Sequence, residues 1–526
     1  MTGAGVAVDA AQRGLSVALI DAGDIAVGTS SKSSKMVHGG LRYLQQKEFR
    51  LVYENLRERQ RLMVNAPHLV RVLPFLIPLF GRDGVVSQTV VKSYSTALRL
   101  YDYTGGWRIG RRYQRVTRDE AVAHLPTLKV DRLVAGFLYF DARGDDARVA
   151  LALAQTAAHT FGATVATYVR AAGVTLDGSG KVASITCRDE RSGETFEVRS
   201  ARVVNATGVW ADSILHTTEQ TGAPRITPAK GVHLSVPSAR LPADVAAVLA
   251  VPGDRRSIFV VPFEEAPFTY IGTTDTAYDG DLDDPTCSSG DVEYLLRTVN
   301  AWTSSDLNVN DVTGVWAGLR PLLAPEPGAK ISERTADLSR RHKVIVSDEG
   351  VIHVTGGKWT TYRQMAEDAV DATMKSLGRR RRCRTVKQPL FGAPVDVMWR
   401  PNGDVETHLY QRFGVEARGV LGLIHEDPSL GDRAIEGLPY LRAEFVHSAR
   451  HEMVVTLIDL FARRTRAHLM DARACAAAAP EIASLVAVEL DWDLERQRVE
   501  VEQYRDMVHH ELAAAGLPAT VGKEER

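Results

Sequence analysis

The sequence predicts an α/β protein with a Rossmann-like dinucleotide-binding domain, a mainly β second domain and a helical third domain. Three observations lead to this fold class. A helical pattern over residues 2–14 runs into a short strand, 17–21, that ends in an acid. Alternating apolar segments recur through residues 230–330. Residues 403–520 are rich in Ala, Leu, Glu and Arg, as helical regions are.

Composition and charge exclude several classes of protein. The chain has 526 residues, and its 64 basic and 65 acidic side chains leave a net charge of −1, so we expect no nucleic-acid partner. Its four cysteines lie far apart without a CxxC pair, which predicts neither a disulfide framework nor a metal site and fits a reducing cytoplasm. No apolar run reaches the roughly 18 residues of a membrane span, and the N-terminus lacks a signal-peptide pattern. We therefore expect a cytoplasmic protein.

The chain opens on what reads as the second half of a βαβ dinucleotide unit. The first helix ends near Gly14, and Asp21 closes the next strand, where an acid accepts hydrogen bonds from a ribose. Gly3 would be the third glycine of the GxGxxG fingerprint, so the first strand and two glycines would precede Met1. A mis-called start is our expectation, because the rest of the chain looks intact. A shortened form with impaired cofactor affinity is the alternative.

Residues 28–44, GTSSKSSKMVHGGLRYL, are the most informative segment. Hydroxyls, glycines and backbone N–H groups in succession suit a long anionic cofactor laid across a loop. A solvated serine loop is the alternative. Arg42 and Tyr43 would lie where the cofactor meets a substrate. The candidates for lining the cofactor in this segment are Ser30, Ser31, Ser33, Ser34, Gly39 and Gly40.

Later segments place polar or cationic residues beside a glycine or a strand end. Arg320 and Lys358 lie at predicted element boundaries and do not belong to the exposed face of a helix. Lys358 also follows a glycine pair. Together with Arg42 they would be costly to desolvate at one site unless an anion is bound there. A phosphate or carboxylate substrate would supply that anion. His233 lies in an apolar strand and can equally be read as a satisfied core histidine.

The order of these segments resembles the FAD-dependent glycerol-3-phosphate dehydrogenases of the aerobic bacterial and mitochondrial type. Eight ordered matches are far more specific than an isolated GxGxxG, and they run from Thr2 into the last hundred residues. The missing N-terminal strand is the departure. The matching stretches are TGAGVAVDAAQRGL (2–15), GTSSKSSKMVHGGLRYL (28–44), NATGVWAD (205–212), KGVHL (230–234), IGTTDT (271–276), GLRPLL (318–323), GGKWTTYR (356–363) and RHEMVVTLIDLFARRTR (450–466).

The resemblance implies FAD as cofactor and an FAD-binding Rossmann-like fold of the glutathione-reductase/D-amino-acid-oxidase type. The FAD-binding domain would be discontinuous, over residues 1–85, 145–225 and 335–380. Residues 86–144 and 226–334 would form the mainly β substrate-binding domain, and residues 385–526 the α-helical C-terminal domain.

It also implies oxidation of sn-glycerol 3-phosphate to dihydroxyacetone phosphate. His233 is the leading general base, with Arg320 as the alternative on the hydroxyl side. Arg42, Arg320 and Lys358 would hold the phosphate or polarise the ketone oxygen, and Tyr43 and Thr274 would donate or accept hydrogen bonds. The FAD-binding residues implied are Gly3, Asp21, Ser30, Ser31, Ser33, Ser34, Gly39, Gly40, Gly208, Gly357, Thr360 and Thr361.

The family passes its electrons to membrane quinone, which implies peripheral attachment, on the inner face of the cell membrane. Two segments are candidates for lipid contact. Residues 379–384 hold five arginines, and the alternative interpretation of this segment is a solvated linker. Residues 450–466 have basic ends around an apolar helix, and the alternative interpretation is that this helix packs in the core. A glycerol-phosphate oxidase using oxygen, an amine or amino-acid oxidase, and a non-catalytic homologue remain alternatives. A homodimer is one candidate assembly.

Overall fold

The computed structural model describes residues 1–41, 43, 48–81, 88–212, 226–254, 256–324, 341–394 and 399–519. Its α-helices in these ranges are α1 (Thr2–Gln12), α2 (Phe49–Asn65), α3 (Gln88–Thr104), α4 (Arg118–His124), α5 (Asp146–Gln155), α6 (Ser289–Trp302), α7 (Tyr362–Ser376), α8 (Gly403–Phe413), α9 (Ala417–Glu426), α10 (Arg442–His451), α11 (Ala467–Met470), α12 (Ala472–Val486) and α13 (Leu494–Ala514).

The strands fall mainly in the first 356 residues. They are β1 (Ala18–Ile20), β2 (Met36–Val37), β3 (Val70–Phe80), β4 (Gln114–Thr117), β5 (Leu133–Gly144), β6 (Thr164–Ala166), β7 (Val169–Leu176), β8 (Val182–Asp189), β9 (Thr195–Arg199), β10 (Val203–Asn205), β11 (Ile226–Pro237), β12 (Ala246–Ala250), β13 (Ser257–Pro262), β14 (Phe268–Gly272), β15 (Thr276–Ala277), β16 (Gly314–Leu323), β17 (His342–Val346) and β18 (Val351–Gly356).

The dinucleotide-binding part consists of two small sheets covered by α1. β1 pairs in parallel with β6, while β10 pairs in parallel with β18, which is also antiparallel to β17. Val6 and Ala10 of α1 pack with β18, and Ala7 packs on the side of β1. Parallel strands under a helix are what the predicted Rossmann-like fold requires. The predicted helix ends as expected, because Gly14 adopts a left-handed φ of 79°.

The second part is a large curled sheet. Among the described residues it joins ten strands, in the order β15-β11-β14-β13-β12-β3-β5-β2, with β16 beside β11 and β4 beside β5. The apolar run around Pro74 and Pro78 is the strand β3, which pairs with β5 along its whole length. On its other edge, β3 pairs with β12 only at Phe75 and Leu76. Pro74 and Pro78, which have no N–H group, are therefore not needed as hydrogen-bond donors on that edge. The predicted domain boundaries, which assign residues 1–85 to the FAD-binding domain, remain a prediction. In the structure, residues 70–80 hydrogen-bond to the large sheet.

The third part is helical, as predicted. α10 to α13 pack around a core that includes Leu457, Leu460 and Phe461, all fully buried, while α8 and α9 form a separate cluster with residues at the start of α10. Residues 459–464 form a buried π-helical turn after α10, so the segment 450–466 is core and not an interfacial helix. In the part of the chain that the structure describes, no helix is long and apolar enough to cross a membrane.

A buried carboxylate ties the helical part to the dinucleotide-binding part. Asp24, which is fully buried, accepts hydrogen bonds from Arg464 Nη1 and Nη2 at 2.7 and 2.8 Å and from Arg463 Nε at 2.5 Å. Burial pushes the pKa of Asp24 up, but Arg464 and Arg463 hold it below its usual value. The loop that follows β1 is therefore fixed against the third part of the protein.

Replacing Asp24 by Ala should destabilise the fold by about 3–5 kcal/mol, because Arg463 and Arg464 each lose a buried carboxylate partner. The matched control is Glu495→Ala, which breaks an exposed pair with Arg498 and should leave the midpoint of unfolding almost unchanged. Denaturant titration measures both. Because the folded pKa of Asp24 is lowered, its contribution should be present above the unfolded pKa of about 3.9 and should be lost as the pH falls through the folded value. Equal shifts for the two variants would contradict this role.

Candidate active site

A cavity of about 2170 Å³ brings together residues from the two small sheets, the large sheet and the C-terminal helices. The predicted site residues in its wall are Gly3, Asp21, Ser30, Ser31, Ser33, Ser34, Gly40, Tyr43, Gly208, His233, Arg320, Gly357, Lys358 and Thr360. Gly39, Thr274 and Thr361 lie behind the wall. Arg42 lies outside the described residues.

The first turn of α1 forms one end of the cavity. Its backbone N–H groups have no carbonyl acceptors within the helix, and Met1 at the N-cap supplies no side-chain cap. The positive end of the helix dipole therefore faces the cavity, which suits a pyrophosphate. A Cβ atom at Gly3 would lie 3.6 Å from both Leu19 and Ala206, so this turn sits between the ends of β1 and β10.

Asp21 stands at the end of β1 and opens into the same end of the cavity. Its Oδ1 accepts a hydrogen bond from the backbone N–H of Gly23 at 3.2 Å. The surrounding protein raises the pKa of Asp21 to about 6, chiefly by desolvation. At pH 7 the carboxylate is mostly ionised, and it can accept hydrogen bonds from the hydroxyls of a ribose.

The serine loop, residues 28–35, is held in shape by Asp146 at the start of α5. Asp146 accepts hydrogen bonds from the backbone N–H and hydroxyl of Ser33, at 3.1 and 2.6 Å, and from Lys35 Nζ at 2.8 Å. Lys35 also donates to the carbonyl of Ser31. The hydroxyl of Ser34 instead lies 2.8 Å from His233 Nε2. The hydroxyl of Ser30 accepts a hydrogen bond from the Met1 amino group at 3.2 Å, so three of the predicted cofactor-binding hydroxyls already have protein partners.

The His233 ring is held in the large sheet by contacts on its face and on its edge. Its ring stacks on Trp316, with 4.8 Å between centroids and 8° between planes, and lies opposite Gly272 of β14. A methyl group at Gly272 would lie 2.0 Å from His233 Cδ2, so glycine makes room for the ring. Nδ1 is buried without a hydrogen-bond partner among the described residues. A satisfied core histidine would have both nitrogens paired, so this arrangement favours a functional role.

The electrostatic surroundings keep His233 neutral. Its side chain is 2 % exposed, and burial holds its pKa well below 6.5, with the charges of Arg320 and Lys35 acting in the same direction. A neutral imidazole is the form that accepts a proton.

Arg320 is fixed by the segment that follows β14. Its Nη1 donates to the carboxylate of Asp275 at 3.2 Å, and its Nη2 donates to the hydroxyl of Thr273 at 3.0 Å and the carbonyl of Thr274 at 3.2 Å. The backbone N–H of Val232 donates a hydrogen bond to the Thr274 hydroxyl, so this hydroxyl stabilises the strand β11. Thr273, and not Thr274, faces the cavity.

Sequence reasoning missed two residues that position Arg320. Asp275 binds its guanidinium, and the carbonyl of Asp275 accepts a hydrogen bond from Arg256 Nη1 at 3.0 Å. Arg256 also lines the cavity. Asp275 stood inside the quoted motif 271–276, one residue after Thr274, so the signal for it was present. Arg256 lies in a different hairpin, and no local pattern points to it.

Lys358 and Tyr43 form a second cationic position in the wall. Lys358 Nζ lies 3.9 Å from the centroid of the Tyr43 ring. Gly40 has a left-handed φ of 81°, and a methyl group there would meet the Tyr43 ring at 2.3 Å. The hydroxyl of Thr361 donates to the carbonyl of Lys358 at 3.1 Å, which stabilises the turn that begins α7. Thr361 therefore supports Lys358 from behind.

Comparison with known proteins places the chain in a family. Residues 1–363 match the family model of FAD dependent oxidoreductases, and residues 353–497 match the C-terminal domain of alpha-glycerophosphate oxidase. Glycerol-3-phosphate dehydrogenase 2 of Mycobacterium tuberculosis (strain ATCC 25618 / H37Rv) is 39% identical over 541 residues, which cover 100% of this chain and 89% of that protein. The chain belongs to the glycerol-3-phosphate dehydrogenase family of FAD-dependent oxidoreductases.

Three further proteins resemble the chain at lower identity. The mitochondrial glycerol-3-phosphate dehydrogenase of Mus musculus is 33% identical, over 97% of this chain and 72% of its own length. The structure of the glycerol-3-phosphate dehydrogenase from Bacillus halodurans complexed with FAD superposes with a TM-score of 0.75 at 27% identity, over 100% of this chain and 94% of the other. An L-alpha-glycerophosphate oxidase from Mycoplasma pneumoniae shares the fold, with a TM-score of 0.54 at 16% identity over 72% of this chain and 93% of the other.

FAD is the cofactor of this family, and the cavity fits it. The first turn of α1 offers unpaired N–H groups to a pyrophosphate, and Asp21 offers a carboxylate to a ribose. Gly208 adds bare backbone at a left-handed φ of 66°, with no atom within 4 Å of its missing Cβ. A long dinucleotide can therefore lie against backbone there without steric conflict.

Asp21→Ala should weaken FAD binding about 10- to 100-fold, because charge-assisted hydrogen bonds to the ribose are lost. Affinity of the unchanged protein should also fall as the pH drops below about 6, where Asp21 takes up a proton. Titration of the apoprotein with FAD, followed by flavin fluorescence, measures both effects. Asp506→Ala, an exposed acid on α13, is the control. Unaltered affinity of the Asp21 variant would remove this residue from the ribose site.

Gly272→Ala should displace the His233 ring while the cofactor end of the cavity stays intact. We expect at least a 100-fold loss of turnover with FAD still bound, since general-base catalysis contributes about 10²–10⁴-fold. Gly178→Ala is the matched control, because a methyl group there meets nothing within 4 Å. Flavin absorbance per mole of protein and steady-state turnover are the two measurements. Full activity of the Gly272 variant would show that the ring position is unimportant.

Proposed function

We propose that this protein oxidises sn-glycerol 3-phosphate to dihydroxyacetone phosphate and passes the electrons to a membrane quinone. The observation that carries the proposal is the cavity wall itself, which presents Arg320 and Lys358 together with a neutral, buried His233. The names of the relatives support the same substrate.

Two cations suit the substrate's phosphate and its developing ketone. Arg320 is oriented by Asp275 and Thr273, and its guanidinium offers paired donors for phosphate oxygens. Lys358, beside the Tyr43 ring, is a compact charge for a single oxygen. Arg42, by its place in the motif, would join them. A ligand with two anionic or polar ends satisfies this wall better than an amine does, because an amine would meet like charges.

His233 is the group that takes the proton of the C2 hydroxyl. It is neutral before substrate arrives, and the hydroxyl of Ser34 fixes its Nε2. FAD, when bound in the cavity, would supply the two-electron acceptor for the hydride of C2.

An apolar arm of the cavity supports a quinone as the next acceptor. The arm begins at His233. Across the sheet, His233 pairs with Gly272, Gly272 with Phe259, and Phe259 with Val248. Residues that pair in this way lie on the same face of the sheet. It continues to Phe80 and Trp302, whose rings stack 4.4 Å apart. The residues that line the apolar arm are Ile77, Leu79, Phe80, Tyr94, Tyr139, Val248, Phe259 and Trp302. A flat, apolar quinone ring fits such a lining, whereas oxygen needs none of it.

An anaerobic visible spectrum tests the proposal. Flavin bands should bleach when sn-glycerol 3-phosphate is added, and glycerol, which lacks the phosphate, should leave them unchanged. Bands that persist with sn-glycerol 3-phosphate would refute the substrate. Reoxidation by a short-chain quinone under argon should then be faster than reoxidation by air. The opposite order would assign the protein to the oxidases.

His233→Gln should lower the rate of bleaching about 10²–10⁴-fold with FAD retained, because glutamine cannot take a proton. His425→Gln, an exposed histidine on α9, is the control. In the unchanged enzyme the pKa of His233 is lowered, so protonation of this residue should not reduce kcat/KM between pH 6.5 and 8. Protonation of His233 should reduce kcat/KM only at lower pH. A bleaching rate that matches the control would eliminate His233 as the base.

A further inference from the structure

We propose that Ser34 is a catalytic residue that carries the proton of the substrate's C2 hydroxyl to His233. The Ser34 hydroxyl takes that proton and gives its own to His233 Nε2. The two atoms lie 2.8 Å apart, and both residues line the cavity. The inference rests on the proposed function, because it names the group through which the base of that reaction acts.

The imidazole of His233 has little surface of its own for a substrate to reach. His233 is 2 % exposed, although it lies in the wall of a large cavity. Trp316 stacks on the ring, and Tyr270 lies edge-on to it with 6.3 Å between the ring centroids. A methyl group at Gly272 would lie 2.0 Å from His233 Cδ2, so the backbone of β14 closes that edge. Direct contact between a substrate hydroxyl and the ring is therefore restricted.

Nε2 is the nitrogen of His233 that can take up a proton from the cavity. Nδ1 is buried and has no hydrogen-bond partner among the described residues, whereas Nε2 faces the Ser34 hydroxyl. A serine hydroxyl has one proton to donate and two lone pairs that accept. Ser34 can therefore donate to Nε2 while it accepts a hydrogen bond from a substrate hydroxyl.

The backbone around Ser34 is fixed by the same aromatic residues that pack on His233. The hydroxyl of Tyr270 donates to the carbonyl of Ser34 at 3.0 Å. The indole N–H of Trp316 donates to the carbonyl of Ser33 at 3.3 Å. The serine oxygen and the imidazole are thus held at hydrogen-bond distance before a substrate arrives, which lowers the entropy cost of the proton transfer.

The transfer balances without a charged serine. As the O–H bond of the C2 hydroxyl breaks, its proton passes to Ser34 Oγ, and the proton of Ser34 passes to His233 Nε2. The hydride leaves C2, and the C2–O bond becomes the carbonyl of the ketone. Ser34 regains its hydroxyl and His233 ends as an imidazolium. A serine hydroxyl is too weak a base to act alone, and the neutral imidazole behind it supplies the driving force.

Replacement of Ser34 tests the relay in the FAD-loaded protein. Ser34→Ala should slow the bleaching by sn-glycerol 3-phosphate about 10²–10⁴-fold with FAD retained, because the relay is lost. Ser34→Thr keeps a hydroxyl and should bleach about tenfold faster than Ser34→Ala, or more. The control is Ser179→Ala, in the exposed turn between β7 and β8. Flavin absorbance per mole of protein verifies that each variant holds its cofactor.

Two further measurements separate a relay from a structural role of Ser34. Dihydroxyacetone phosphate has no C2 hydroxyl proton, so Ser34→Ala should bind it within about tenfold of the unchanged protein. The change in the flavin spectrum measures this affinity. In mixtures of H2O and D2O, the bleaching rate of the unchanged protein should fall along a curve with the deuterium fraction, because two protons move together. In Ser34→Ala the dependence should be linear.

A bleaching rate of Ser34→Ala that equals the control, or a linear dependence in the unchanged protein, would overturn the relay. Nitrogen-15 NMR of the FAD-loaded, histidine-labelled protein tests the pair without substrate. Nε2 of His233 should carry no proton, and its resonance should shift in Ser34→Ala; a protonated Nε2 would also overturn the relay. Failure of sn-glycerol 3-phosphate to bleach the unchanged protein would instead refute the proposed substrate, and the resonance would still decide whether Ser34 donates to His233.

Discussion

The candidate site depends on the register of β11 between β14 and β16. In that register His233 faces Gly272 on one side and Trp316 on the other, while Ala229 faces Arg320. A slip of one residue would turn the imidazole to the opposite face of the sheet. The same pairing brings Gly231 against the Arg320 guanidinium, where a methyl group would lie 2.4 Å from Nη2. His233 and Arg320 are thus placed by one set of main-chain hydrogen bonds.

Buried carboxylates then fix the loops that the sheet does not reach. Asp146 holds the serine loop by the backbone and hydroxyl of Ser33 and by Lys35. Asp24 holds the segment just before that loop against two arginines of the helical part. The cofactor end of the cavity is therefore supported from residues more than 400 positions away in sequence, and the C-terminal helices are part of the site's architecture.

The sequence was sufficient for elements with a strong local pattern and for many of the residues that line the cavity. The helix over residues 2–14, the strand before Asp21 and the alternating segments between residues 230 and 330 all appear where their patterns place them. His233, Arg320 and Lys358 were found because glycines and strand ends flank them. Their partners were not found, since the contacts of Ser34 with His233 and of Arg256 with Asp275 join segments far apart in the chain. Local patterns do not encode such pairings, and choosing between Thr273 and Thr274 required the actual direction of the backbone.

The stack of His233 on Trp316 has a consequence for any proton that the imidazole takes up. The ring planes differ by 8° and the centroids lie 4.8 Å apart, so an imidazolium formed there would rest on the electron-rich face of an indole. A cation over a desolvated indole gains about 2 kcal/mol or more from the ring quadrupole. The indole thus favours the charged imidazole that burial otherwise penalises. Trp316 is also a reporter placed inside the site, because its emission would register the moment at which its neighbour becomes a cation.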